Sequence, residues 1–148
     1  MPELNFEVGG KLKQAIIVDV DGTIALRNGR DPFEWDKINT DLPNLPLIEI
    51  ISRLSSSGLF VVLVSGREQR FYDGTVKWAQ RFLNFPFELY CRADFDNRSD
   101  VIVKEEIYKK HIEGVFEVVA VFDDRDRVVQ MWRDTIGLMC LQVAPGKF

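Results

Sequence analysis

A three-layer α/β domain with a mainly parallel sheet is the fold class this sequence predicts. Short β-branched apolar runs alternate with stretches of helical periodicity, the pattern of strands joined by crossover helices. Three of the runs end in polar or acidic clusters, Asp19-Val20-Asp21, Ser65-Gly66-Arg67 and Asp123-Asp124-Arg125. Open α/β sheets bind ligands at the carboxyl ends of their strands, so the clusters mark a ligand-binding edge.

The first strand spans about 14–18, in Ala15-Ile16-Ile17-Val18. Residues 24–43 carry no regular pattern, and long irregular segments in compact domains tend to be functional. Asp41 through Pro46 is turn-like, and Leu47, Ile48, Ile50, Ile51 and Leu54 then give helical spacing that stops at Gly58. Leu59 through Val64 reads as a fully buried strand. A helix over about 74–83 follows, with Val76, Ala79, Gln80 and Leu83 at helical offsets, then a short strand at 87–91. Asp100 is placed to cap a helix over 101–112 by accepting from free backbone N–H groups. A strand over 116–122, a helix over about 125–135 and a strand over about 138–143 complete the pattern.

The chain has 148 residues, near the usual size of one domain, so a single domain over 1–148 is expected. At 46% hydrophobic and 28% charged it reads as soluble and globular, with no apolar stretch long enough for a membrane span. The N-terminus lacks the basic start and apolar core of a signal peptide. Cys91 and Cys140 lie in apolar strand-like segments and read as buried free thiols, consistent with a cytoplasmic location. A net charge of −4 argues against gripping long nucleic acid through the global field. Residues 67–98 hold six Lys/Arg against five acids, a weak local patch.

Parallel strands bring their carboxyl ends to one sheet edge, so the three clusters can converge despite their separation in sequence. A helix beginning at Asp100 adds Lys104 on that edge. Together these supply carboxylates for a divalent cation, a hydroxyl and backbone N–H groups for phosphate oxygens, and one ammonium. Phosphoryl transfer needs this set, because its catalysis is mostly positioning and charge neutralisation. Singly, each piece has a plain reading: a solvated turn, a tight turn, a helix cap or a surface lysine. His111, Trp78 and Trp132 read as packing residues, and Lys109 and Lys110 as partners of a helix dipole. Trp35 and Phe33, beside Arg30, read as core or as contacts for a nucleobase.

Asp19-Val20-Asp21-Gly22-Thr23 resembles the first motif of the haloacid dehalogenase (HAD) superfamily of phosphatases. The resemblance narrows with Asn28-Gly29-Arg30, Val62-Leu63-Val64-Ser65-Gly66-Arg67-Glu68, Asp100 through Ile107, Lys110-His111-Ile112 and Phe122-Asp123-Asp124-Arg125. With Val128-Val129, Met131-Trp132-Arg133 and the ending Gln142-Val143-Ala144, these are similar to the phosphatase domain of phage polynucleotide kinase/phosphatase, over about residues 14–148. The resemblance implies a Rossmann-like, HAD-like domain with a minimal cap, since only residues 22–64 separate Asp21 from Ser65.

It also implies roles. Asp19 would be the nucleophile that forms an aspartyl-phosphate, and Asp21 the general acid and base. Mg²⁺ would be held by Asp19, the backbone carbonyl of Asp21 and Asp124, with Asp123 supporting the site. Ser65, Gly66 and Lys104 would bind phosphoryl oxygens, Asp100 would orient Lys104, and Arg30 and Arg67 would lie near the substrate or its phosphate. The family removes 3′-phosphates from nucleic-acid ends and nucleoside 3′-phosphates, so these are the expected substrates, in DNA or RNA end repair.

No Gly-x-x-x-x-Gly-Lys-[Ser/Thr] loop occurs in the chain, so no 5′-kinase half is expected in it; a separate kinase or ligase chain is the expected kind of protein partner. The stretch Arg67–Trp78 looks shorter than its counterpart, which removes part of the region expected beside the substrate. Two rival functions stay open: a phosphatase for a small phosphorylated metabolite, and a non-catalytic module that binds nucleic-acid ends.

Overall fold

In this computed structural model, residues 7–8 and 10–148 are described; most of the N-terminal stretch read for a signal peptide lies outside them. Strand β1 (Glu7–Val8) pairs antiparallel with β2 (Lys11–Asp19). The chain then runs through β3 (Ala25–Leu26), β4 (Leu42–Pro43), α1 (Leu45–Ser56), β5 (Phe60–Glu68), α2 (Tyr72–Phe82) and β6 (Phe87–Arg92). It ends with α3 (Asp100–Ile107), β7 (Phe116–Asp123), α4 (Asp126–Gln130) and β8 (Cys140–Gln142). Five strands lie parallel in the order β6-β5-β2-β7-β8. Chain order reverses around β2, and the crevice at such a reversal is where open sheets bind ligands.

Alternation along the strands builds a core on each face. Ile16, Val18, Val61 and Leu63 pack with Leu47, Ile51 and Trp78 on the α1–α2 side. Ala15, Ile17, Val62 and Val64 pack with Val103, Ile107, Val128 and Trp132 on the α3–α4 side. Successive side chains point to opposite faces, so an unbroken apolar run fills both layers. The irregular segment 24–43 contains the β3–β4 hairpin and a short 3₁₀ stretch, Trp35–Thr40. That hairpin is small, as a minimal cap requires.

Several details differ from the sequence expectations. Ser99, rather than Asp100, caps α3: its Oγ accepts from Val101 N at 3.3 Å, and Asp100 is the first helical residue. The expected helices over 101–112 and 125–135 both finish in π-helical turns, Tyr108–Ile112 and Met131–Ile136. Strand β5 continues through Ser65-Gly66-Arg67, with a register shift between Val64 and Glu68 against β6. Phe33 is no core residue, at 82% exposed. Cys91 is half-buried and Cys140 buried, both free, and burial pushes each thiol up to about 12. No described helix is long and apolar enough to cross a membrane.

Candidate active site

The site begins where β2 stops. After Asp19 the chain coils tightly: the Val20 carbonyl accepts from the N–H groups of Thr23, Ile24 and Ala25, and Gly22 N donates to Ala25 O. The coil needs a glycine at position 22, because φ there is +79° and a Cβ would collide with the Asp124 carboxylate. It also turns Thr23 back, so that its hydroxyl donates to Asp19 Oδ2 at 2.9 Å and lies 3.5 Å from Asp124 Oδ1. The motif gives Thr23 no role of its own in the sequence; its spacing of four from Asp19 is the signal for this contact.

Asp19, Asp123 and Asp124 are buried, with one oxygen from each lying within 4.8 Å of the others. Lys104, buried on α3, donates to Asp19 Oδ1 at 2.7 Å and Asp123 Oδ2 at 2.9 Å. Three carboxylates therefore face one ammonium. Burial and the Asp123 charge push Asp19 well above its ordinary value, against the pull of Lys104. Burial chiefly raises Asp124 as well. Burial alone would lower Lys104, but the charges of Asp123 and Asp19 outweigh it and hold the amine protonated.

The partners of each oxygen sort the carboxylates. Asp123 Oδ1 accepts from the backbone N–H groups of Asp124 (2.8 Å) and Arg125 (3.4 Å). Its Oδ2 accepts from Lys104 and from Trp132 Nε1 at 3.2 Å. Asp123 is fully engaged. Asp124 has the long contact from Thr23 and a hydrogen bond shared with Asp19, but no ion pair among the described residues, and the missing Cβ of Gly22 leaves room over its carboxylate. Hard oxygen donors and uncompensated negative charge suit a small divalent cation such as Mg²⁺, with Asp19 and Asp124 as the carboxylates that could hold it.

Asp21 lies apart from that cluster. Both its oxygens accept from Arg67, Oδ2 from Nε at 2.9 Å and Oδ1 from NH2 at 2.7 Å, and Arg30 NH2 lies 3.5 Å from Oδ1. Arg67 also reaches Thr75 Oγ1 and Asp41 Oδ2, while Arg30 grips Asp41 bidentately at 2.7 and 3.0 Å. The two arginines are thus engaged with carboxylates and present no open phosphate clamp. They hold Asp21 in place from the buried side. Asp41, read as turn, is their buried anchor, and nothing in its sequence neighbourhood marks it.

Ser65 follows Val64, the register partner of Asp19, and its Oγ accepts from Arg67 N at 3.0 Å. Gly66 is fixed by its carbonyl, which accepts from Arg92 Nε at 2.6 Å. Asp100 makes no bond to Lys104. It pairs with Arg125 at 2.6 Å, tying the start of α3 to the loop after Asp124. The reason is direction: Lys104 points into the crevice, where Asp19 and Asp123 already surround its ammonium. Trp132 packs as expected and also donates to the site. His111 stacks on Tyr90, at 4.5 Å between centroids, away from these groups.

Comparison with known proteins decides the family. A profile of the polynucleotide kinase PNKP phosphatase domain matches residues 13–148. The chain belongs to this family. It is therefore a HAD-type phosphatase. A putative bifunctional polynucleotide kinase/RNA ligase of Autographa californica nuclear polyhedrosis virus is 32% identical over 137 residues, covering 88% of this chain and 20% of the viral protein. Chains from two structures of a Pnkp1/Rnl/Hen1 complex, one of them described as an RNA repair complex, superpose with TM-scores of 0.87 and 0.88 at 36% identity. They cover 92% and 93% of this chain, which spans 44% and 47% of theirs. The PNKP-family chain thus spans less than half of these relatives. A class C acid phosphatase from Bacillus anthracis, solved with tungstate bound, shares the fold at 16% identity and a TM-score of 0.56, over 94% of this chain and 69% of its own.

Proposed function

We propose that the chain works as a single Mg²⁺-dependent phosphomonoesterase domain that removes 3′-phosphates from nucleic-acid ends or nucleoside 3′-phosphates. The observation that carries the reading is the pocket at the end of β2. There a buried carboxylate, Asp19, sits beside a buried ammonium and a second carboxylate, Asp124, which has no ion pair among the described residues. A binding module has no need of a nucleophile so placed.

In this reading an Asp19 oxygen attacks phosphorus, and the bond from phosphorus to the 3′-oxygen breaks. Asp21, protonated for this step, passes its proton to the leaving oxygen and must release at least one Arg67 contact to do so. Asp21 then takes a proton from water, whose oxygen attacks phosphorus and frees inorganic phosphate and the Asp19 carboxylate. Lys104 and Ser65 neutralise and position the phosphoryl oxygens. Asp19, Asp124 and the Asp21 carbonyl would hold Mg²⁺, which would supply positive charge against the repulsion among the carboxylates and phosphate. Asp123 and Trp132 keep Lys104 aimed.

Phosphate release tests this. With Mg²⁺, a 3′-phosphorylated oligonucleotide or nucleoside 3′-phosphate is hydrolysed well ahead of 5′-phosphates and sugar phosphates; chelation or Asp19→Asn abolishes release. Preference for a sugar phosphate would make the protein a metabolite phosphatase. End-binding without release would make it a binding module. The resemblance to chains of an RNA repair complex supports action beside a separate kinase or ligase.

A further inference from the structure

Beside the catalytic acid lies a groove that the chemistry leaves unused. Its volume is about 340 Å³, and its lining includes Trp35, Phe71, Arg70, Lys77 and Arg81. Three cations and one carboxylate, Asp36, line it in a chain whose net charge is −4, and Arg70 is also paired with Glu68 at 3.1 Å. Lys77 and Arg81 stand one turn apart on α2, both exposed. Lys77 has no hydrogen-bond or ion-pair partner among the described residues, and Arg81 makes one long bond, to the Asn39 carbonyl at 3.3 Å.

The groove adjoins the residues that hold Asp21. Trp35 stacks on Phe71 at 5.4 Å and lies over the guanidiniums of Arg30 and Arg67, at 5.3 and 5.7 Å, which hold Asp21. On the other side, Arg70 lies against the rings of Phe71 (4.9 Å) and Phe95 (5.1 Å). Phe95 is 76% exposed, yet it adopts φ +62°, a conformation costly for a bulky L-residue. A bond from Phe95 N to Glu68 Oε2, at 2.8 Å, fixes it there. A ring held in solvent at a conformational cost asks for a ligand to cover it.

We propose that this groove binds the single strand leading to the terminal 3′-phosphate. Backbone phosphates run along Arg70, Lys77 and Arg81, and a base stacks on the open face of Phe95, with Trp35 and Phe71 as the apolar wall. Alternating cations and aromatic rings are how single strands are gripped without sequence preference. The inference rests on the nucleotide 3′-phosphatase reading and adds to it that the substrate is a polymer end.

The test compares kcat/KM for a nucleoside 3′-phosphate and a short 3′-phosphorylated oligonucleotide, with p-nitrophenyl phosphate as a generic ester. The wild-type protein is expected to favour the oligonucleotide by at least about tenfold, the low end of one base stack plus phosphate contacts. Its logarithmic salt slope should be about −2, from roughly −0.7 per phosphate engaged by three cations. The Lys77→Ala/Arg81→Ala pair, both exposed, should cut the preference to about threefold or less and bring the slope near −0.7. Phe95→Ala should lower the preference without changing the slope. Equal use of both nucleotides by the wild type, or an unchanged preference and slope in the double variant, overturns the groove and leaves the 3′-phosphatase reading standing. Turnover of the generic ester with neither nucleotide accepted overturns both.

Discussion

Replacing Lys104 by methionine removes the one ammonium from a cluster of three buried carboxylates while keeping the volume of the side chain. Its two short contacts, 2.7 Å to Asp19 and 2.9 Å to Asp123, both lie in the interior. Deleting one partner of such a buried pair costs about 3–5 kcal/mol, because the remaining charge is left without compensation. For a chain of this size that is a fall in Tm of about 10 °C. Removing Asp19 breaks the same bond from the other end with the opposite sign. Between the ordinary carboxyl value of 3.8 and the raised value in the fold, folded Asp19 holds a proton that the unfolded chain has lost. Its contribution to stability therefore declines as pH rises through that window, and above the window the metal-free fold bears the cost of the charge. Asp19→Asn should leave the metal-free protein as stable as wild type or more so, while Lys104→Met loses more stability as pH rises and less in mild acid. Urea and thermal unfolding of both variants in chelator, across pH, measure this. Lys104→Met as stable as wild type near neutral pH, or Asp19→Asn strongly destabilised, would refute the electrostatic account of the pocket.

Three further substitutions probe the parts around it. Gly22→Ala brings a methyl group onto the Asp124 carboxylate at a positive φ and should weaken Mg²⁺ activation at least tenfold, read from the metal dependence of phosphate release. Trp132→Phe keeps the ring and deletes the donor to Asp123; it should cost about 1 kcal/mol by denaturation and slow turnover several-fold with little change in KM. Arg67→Lys loses the paired bonds to Asp21 and the links to Thr75 and Asp41, so kcat should fall at least tenfold and the pH profile should change shape; an unaltered profile would show that Arg67 does not position the acid.

The strands and the edge they share were legible because burial on both faces forces unbroken β-branched runs, as in Ala15–Val18 and Leu59–Val64, and because polar residues begin where those runs stop. Asp19, Asp123, Asp124 and Lys104 meet as that edge requires. Contacts made across the fold left no such trace. Asp41 looks like any turn aspartate until Arg30 and Arg67 close on it from separate segments. The reach of Asp100 depends on which way the first turn of α3 faces, and composition does not encode that. Trp132 fits a packing pattern completely, so its N–H donor was invisible. The basic groove was hidden for a similar reason: along 67–98 the charges nearly cancel, but folding gathers Arg70, Lys77 and Arg81 onto one surface.

The central claim is that the carboxylate at the end of β2 itself receives the phosphoryl group. Rapid acid quench during turnover of a phosphate-labelled nucleoside 3′-phosphate, followed by peptide mass spectrometry, addresses it directly. The account predicts label on the peptide containing Asp19 and neither label nor product phosphate from Asp19→Asn. Label on a different residue, or turnover that survives Asp19→Asn, would contradict it.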